Sequence, residues 1–504
     1  MTKSPVKTGL FRQSEARSHE RVFLNGKHRP AKNFFIVVFS VLFWYTLNME
    51  NKKSKKIIHD YTTGNLPKQM LLFSLPFMLS NCLQVLYGIV DMIVVGHFVG
   101  SDGLSAVSTA SQVFNFMNML SLGFAMGGQV VIAQLVGAKK TSELKKCIGT
   151  LFTLVGILGV VLTGVGLGIC EPVLRLLKTP AEAFAMASDY LYICAAGLVF
   201  SFGYNLISSI LRGEGESVQP CIYIAVAAVT NLIFDLLFVG VFHWGTAGAA
   251  AATVLGQAAS FIWSIIYLLR HKEAFGFDFK KASFYPDKTQ AKNIISLGIP
   301  FALRSAAVHV SMLFVTALVN NVGLAASAVF GVGLKVDDVV RKISMGFNYA
   351  ASSMVGQNIA AGDIKRTRRV VYWSWIYSAA VYLIFFVVYI TNIELLFRLF
   401  TDDAEVLALA PVFVKAIVWS FPAMALMRGT NGFISGIGNS GLGLAFSLFD
   451  GLILRIGLSW MLGTACHMGL FGYFLGYGLA TYGTAVPGAI YFLAGRWKNR
   501  KLKI

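Results

Sequence analysis

Twelve long apolar stretches, separated by short polar joints rich in glycine and charge, run along this chain at approximately 69–98, 104–137, 147–169, 186–212, 219–242, 246–270, 293–320, 324–358, 367–391, 406–434, 440–463 and 467–495. Each can cross the ~30 Å hydrocarbon core of a bilayer as a helix. A helix suits that setting because it satisfies its backbone N–H and C=O groups within one segment. The pattern predicts an all-α polytopic membrane protein of twelve transmembrane helices. The second and eighth stretches are long, so they should tilt or project beyond the bilayer.

Residues 1–48 break this pattern. A basic, polar stretch leads to Phe34–Leu47, which is short for a spanning helix and closer to a signal-type apolar region. Met49-Glu-Asn-Lys-Lys then reads as an ordinary start. The expectation is that translation begins at Met49 and that the upstream segment is spurious; an extra anchor or signal segment is the alternative.

Composition agrees with the pattern. The 504 residues are 56% hydrophobic and only 13% charged, where soluble domains carry roughly 25%. A net charge of +19 raises nucleic acid as a partner, and position removes it. The Lys and Arg residues sit at stretch ends, in the joints holding Lys52, Lys53, Lys55 and Lys56, residues 139–146, Arg270 to Lys292, Lys365 to Arg369 and Arg496 to Lys503. The intervening joints hold only Arg175, Lys178 and Arg398. Such one-sidedness places both termini and the 271–292 loop in the cytoplasm. The six cysteines show no CxxC pair, and most fall in apolar runs, so they read as small buried hydrophobes.

The chain also repeats itself at a spacing of 223 to 224. Pro76-Phe77 recurs as Pro300-Phe301, and Gly123-Phe124, Gln134 and Ala138 as Gly346-Phe347, Gln357 and Ala361. Gly213-Glu-Gly215-Glu-Ser217 recurs as Gly436-Ile-Gly438-Asn-Ser440, and Gly245-Thr-Ala-Gly248 as Gly469-Leu-Phe-Gly472. The expected organisation is an extension (1–48), a six-helix lobe (49–270), a cytoplasmic linker (271–292), a second six-helix lobe (293–495) and a basic tail (496–504). Six spans per repeat relate the lobes by an axis along the membrane normal. Secondary transporters commonly use that plan, with the substrate path between the repeats.

Ionisable residues within spans are expensive and therefore functional candidates. Asp91 in span one and Asp235 in span five have no Lys or Arg within four residues. Both fall about 10–13 Å from the outer end of their helices, as does Thr253 in span six at about 10 Å. Asn231 lies one turn below Asp235 on the same face. Two carboxylates, an amide and a hydroxyl so placed make an oxygen-rich group for a hard monovalent cation, or for one proton shared between carboxylates that cannot both ionise cheaply. The alternative is a hydrogen-bond network that only fixes helix packing. At the repeat offset Asp91 falls on Phe314 or Val315 and Asn231 on Arg455, so this chemistry belongs to the first half.

Span eight carries Lys335, Asp337, Asp338, Arg341 and Lys342, whose i,i+3 and i,i+4 spacings allow mutual neutralisation. Asp337, Asp338, Arg341 and Arg455 are candidates for a structural network or a polar substrate path. Arg304, Arg428 and Asp450 are further intramembrane charges. Asp450 and Arg455 are five apart, a poor α-helical spacing for one face, so the expected partner of each lies on another helix. Pro76 and Pro300 remove an N–H inside spans one and seven. No HExxH, paired-Cys or GxSxG signature accompanies the lone intramembrane His309. An integral membrane enzyme is thus the remote alternative, and neither a cofactor nor a metal beyond a coupling Na⁺ is expected.

Taken together, these residues resemble the multidrug and toxic compound extrusion (MATE) family of cation-coupled antiporters over roughly 65–497. The resemblance rests on Val90-Asp91, Gly123-Phe124 with Gln134 and Gly137-Ala138, and Arg212-Gly-Glu-Gly215. It rests too on Asn231-x-x-x-Asp235, Gly248-Ala-Ala with Thr253, Val355-Gly-Gln-Asn358 and Leu454-Arg455. It implies two six-helix lobes around a V-shaped cleft in the cytoplasmic membrane, working as a monomer. It also implies export of amphipathic, often cationic organic molecules in exchange for Na⁺ or H⁺. Asp91, Asn231, Asp235 and Thr253 match the cation site of part of that family, and Pro76 matches a proline at which a helix bend has been proposed. Second-lobe acidic residues in spans seven and ten, which serve another branch, are missing here. The wider superfamily exports lipid-linked sugars, the alternative substrate class.

Overall fold

The computed structural model describes residues 58–500, apart from residue 178, together with residue 502. The expectation for residues 1–48 lies outside them. Among the described residues there is no strand, and helices fill every expected span. Spans one to three are Leu66–Phe98, Ser101–Gly137 and Thr141–Leu176. Span four is Ala181–Ala196 followed by Leu198–Glu214, bent by 47°. Spans five and six are Val218–Val241 and Gly245–Arg270. Spans seven to nine are Lys288–Asn320, Leu324–Ala360 and Ile364–Thr391. Spans ten and eleven are Ala404–Gly436 and Ser440–Ala465. Span twelve is Gly469–Leu479 with Tyr482–Ala494. Nine of these helices are individually long and apolar enough to cross a membrane, and the bent fourth makes ten. Span eight is set apart by its cluster of charges, and span twelve by its interruption.

Local chemistry explains several starts. Asn65 caps span one by accepting from the Lys68 N–H, with proline next in the first turn. Asp287 caps span seven through the Gln290 N–H, and Asp363 caps span nine through the Arg366 N–H. Span one then runs through Pro76 as one continuous helix.

The backbone repeats where the sequence does. His243 and His467 both take a positive φ of 55°, and Gly245 and Gly469 follow at 59° and 58°. Gly100 and Gly323, Lys139 and Gly362, and Gly215 and Gly438 are further left-handed pairs at the same spacing. A side chain disfavours this region by roughly 1 kcal/mol or more. Paired exceptions therefore mark one architecture used twice.

Spans one and seven each cross between cores. The C-terminal half of span one contributes Val94 and Val95 to the core of the first half. Its N-terminal half sends Leu66, Met70, Phe73 and Phe77 into a cluster with Ala350, Met354 and Val355 of span eight. Reciprocally, Ile294, Leu297 and Phe301 of span seven join the first-half core, while Val315 and Val319 join the second. Glycines permit these close approaches, as small residues do between membrane helices. A Cβ on Gly127 would stand 2.9 Å from the Gly298 nitrogen, and one on Gly346 would stand 2.9 Å from the Ser74 carbonyl oxygen.

Contacts between the halves gather on the face carrying the basic loops. Gln134 donates to the Gly436 carbonyl at 2.8 Å, and Gln129 to Ser353 Oγ at 3.0 Å. Arg212 bonds Gln129 and lies over the Tyr349 ring. A strap preceding span one crosses the same face. His59 N–H donates to the Glu214 carbonyl, and the Tyr61 hydroxyl to that of Gly215. On the other half, Tyr61 N–H meets Gln357 Oε1 at 2.9 Å, and its carbonyl accepts from Asn358 and Arg366. Beyond this face the two halves keep separate apolar cores.

Candidate functional site

The first half brings its expected site residues together. Asp91 stands seven residues before the end of span one, and Asp235 six before the end of span five, each about 10 Å below the far face. Their carboxyl groups lie within hydrogen-bonding range of each other. Asn231, one turn below Asp235, points its amide at Thr253 Oγ1 across 3.5 Å. Asp235 and Asn231 are 1% and 5% exposed.

Electrostatics makes the arrangement unusual. Ionised carboxylates only accept hydrogen bonds, and among the described residues Asp91 Oδ1 and both oxygens of Asp235 are buried and unsatisfied, with the Asn231 amide as the donor nearest to hand. Neither residue forms an ion pair among the described residues. Two adjacent buried negative charges repel in a medium of low polarity. The group becomes self-consistent when a proton or a small cation joins it.

Three contributors were not anticipated. Tyr190 of span four brings its hydroxyl to Thr253 and to Ser111 of span two, whose Oγ is 3.4 Å away. Tyr87, one turn before Asp91, lies within electrostatic range of its carboxylate. Its i,i+4 spacing was a usable signal. Tyr190 and Ser111 arrive from other helices and left none.

The second half is built differently. On span eight Asp337 pairs with Arg341, and Asp338 with Lys342 at 3.3 Å, both at i,i+4. Arg341 Nη2 also donates to the Tyr477 hydroxyl at 2.7 Å. Arg428 bonds Ser344 Oγ at 2.9 Å. One expectation is corrected: Asp450 and Arg455 are each other's partner, with Nη2 to Oδ1 at 2.9 Å. The reason is local geometry. Residues Phe449–Arg455 form a π-helical stretch, where the i→i+5 repeat brings residues five apart onto one face. Thr484 donates to the other Asp450 oxygen at 3.0 Å.

Residues 76–237 and 300–461 each match the family model described as MatE. The second match begins 224 positions after the first, at 300 against 76, which is the repeat spacing of the sequence. The probable multidrug resistance protein YpnP of Bacillus subtilis is 30% identical over 444 residues, covering 88% of this chain and 98% of that protein. The probable multidrug resistance protein NorM of Thermotoga maritima is 24% identical over 441 residues, covering 86% and 93%. Among solved structures, a MOP superfamily transporter from Pyrococcus furiosus gives a TM-score of 0.83 at 22% identity, covering 89% of this chain and all of that one. At that identity the likeness shows a shared fold.

Proposed function

The chain belongs to the MatE family of multidrug transporters, and from that premise we propose that it exports amphipathic organic compounds in exchange for inward-moving Na⁺ or H⁺. One observation carries the proposal: the carboxylates of half-buried Asp91 and buried Asp235 face each other with unsatisfied oxygens, and no basic residue among those described pairs with either. A travelling cation supplies what they lack. Asn231 and Thr253 add neutral oxygens for Na⁺ or fix the geometry of a shared proton. Exchange follows if the ion binds the outward-open and inward-open states unequally, because a ligand moves a two-state equilibrium only by its differential affinity.

The basic loops are assigned to the cytoplasm, with both termini there, in the cytoplasmic membrane. The protein acts as a monomer, without nucleic acid, a cofactor or bond-making chemistry. Pro76 gives span one a place to bend as the site fills. A second reading, export of a lipid-linked sugar, draws on the arginines of the second half. Among the described residues there are twelve spans, which favours the first.

The test is flux of norfloxacin, a fluorescent aromatic zwitterion that carries a carboxylate, in proteoliposomes under an imposed Na⁺ or H⁺ gradient. One gradient should drive flux in the native protein, and D91N and D235N should each reduce it to background while remaining folded. Native-like flux in both variants would remove the coupling assignment.

A further inference from the structure

The middle of the second half holds more positive charge than it neutralises. Arg341 and Arg455 both lie over the Tyr477 ring, at 5.5 and 5.0 Å. Arg428 reaches Ser344 and Tyr382 beside them. Arg304 of span seven lies within electrostatic range of both Asp450 and Arg428 and makes no hydrogen bond or ion pair among the described residues. Against these four guanidinium groups stand two carboxylates, Asp337 and Asp450, each already paired. Arginine does not shed its proton in proteins, so the excess persists.

Unmet hydrogen-bonding capacity lies at the same place. Arg455 is 4% exposed, and its Nε and Nη1 are buried with no acceptor. An unsatisfied charged donor in such surroundings is strongly unfavourable. Asp450 takes one nitrogen of the guanidinium, Nη2, and leaves the other two without an acceptor. The network is not sealed, since Arg341 keeps 23% of its side chain exposed. Arg304, Arg341 and Arg455 sit near the middle of spans seven, eight and eleven, the depth at which transporters of repeated architecture hold substrate.

We infer that this cluster receives the anionic group, a carboxylate or phosphate, of the exported organic compound, with Arg304 and Arg455 as its main donors. Planar guanidinium groups hold such groups through paired N–H donors. The inference rests on the export reading and narrows its substrate class: a transported compound carries an acid group, alone or as part of a zwitterion. The charge of a purely cationic drug finds no partner here.

The test needs no ion gradient. The purified full-length protein in lipid nanodiscs is titrated calorimetrically with 1-naphthyl phosphate and with 1-naphthylmethylammonium, which share a ring and differ in charge. The phosphate should bind about tenfold tighter or more, and R304Q and R455Q should each weaken it by about tenfold. R304Q breaks no existing bond, so it carries the test if R455Q does not fold. D91N, which disables export on the reading above, should bind the phosphate as the native protein does, which separates failure of this site from failure of coupling. Equal affinity for the two probes, or unchanged phosphate affinity in folded R304Q, would overturn the assignment. Inorganic phosphate competing as strongly as the naphthyl ester would also overturn it, by assigning the cluster to a free anion.

Discussion

The two halves share a backbone and oppose each other in charge. The first encloses Asp91 and Asp235 beside neutral partners, Asn231, Thr253 and Tyr190. The second encloses Arg304, Arg341, Arg428 and Arg455 around two carboxylates already engaged. The contrast is sharpest at one repeated position, where Asn231 in span five corresponds to Arg455 in span eleven. Left-handed turns that recur at the repeat spacing show that the scaffold did not change when the chemistry did. Duplication gave two equivalent bundles, and substitution at a few interior positions left one with unsatisfied carboxylates and the other with an excess of guanidinium groups.

The most severe way to break this contrast is N231R, which writes the second-half residue into the first. An arginine one turn from Asp235 would neutralise it permanently, and gradient-driven norfloxacin flux in proteoliposomes should fall to background. The reciprocal change, R455N, leaves Asp450 buried without its charge partner. Removing one member of a buried pair costs about 3–5 kcal/mol, so the unfolding midpoint should drop, and the double variant D450N/R455N should recover most of it. A smaller effect is expected from G137V, because a Cβ there would stand 2.1 Å from the Gln357 carbonyl oxygen. The closed face should loosen, read as a several-fold rise in hydrogen exchange over 129–138 and 352–361. The mildest is T253V, which removes one oxygen from the cation group and keeps its shape. The ion concentration for half-maximal flux should rise about threefold to tenfold, with maximal flux preserved.

Much of this arrangement was legible before any coordinates. Runs of apolar residues located the spans because lipid imposes length and helicity together. The repeat was legible because turns demanding special backbone angles keep their glycines, as at Gly245 and Gly469. Asp91 and Asp235 stood out because nothing nearby in the chain could neutralise them. What stayed hidden depends on departures from α-helical spacing or on contacts between distant segments. Asp450 and Arg455 were separated by assuming 3.6 residues per turn, which the π-helical stretch does not obey. Tyr190 reaches the acidic group only because span four packs between its neighbours. The exchange of spans one and seven between cores is also invisible to periodicity, since both helices are apolar on nearly every face.

The strap from His59 to Tyr61 has a consequence for how the machine idles. Its hydrogen bonds to Glu214, Gly215, Gln357, Asn358 and Arg366 bridge both halves. Each is worth about 1 kcal/mol once exchanged for water. Splaying the helices on that side therefore means unpicking a clasp before any cargo can enter from below. Whatever is attached upstream of His59 becomes a handle on that clasp, and tension or bulk there should throttle the loading step while leaving the acidic group untouched.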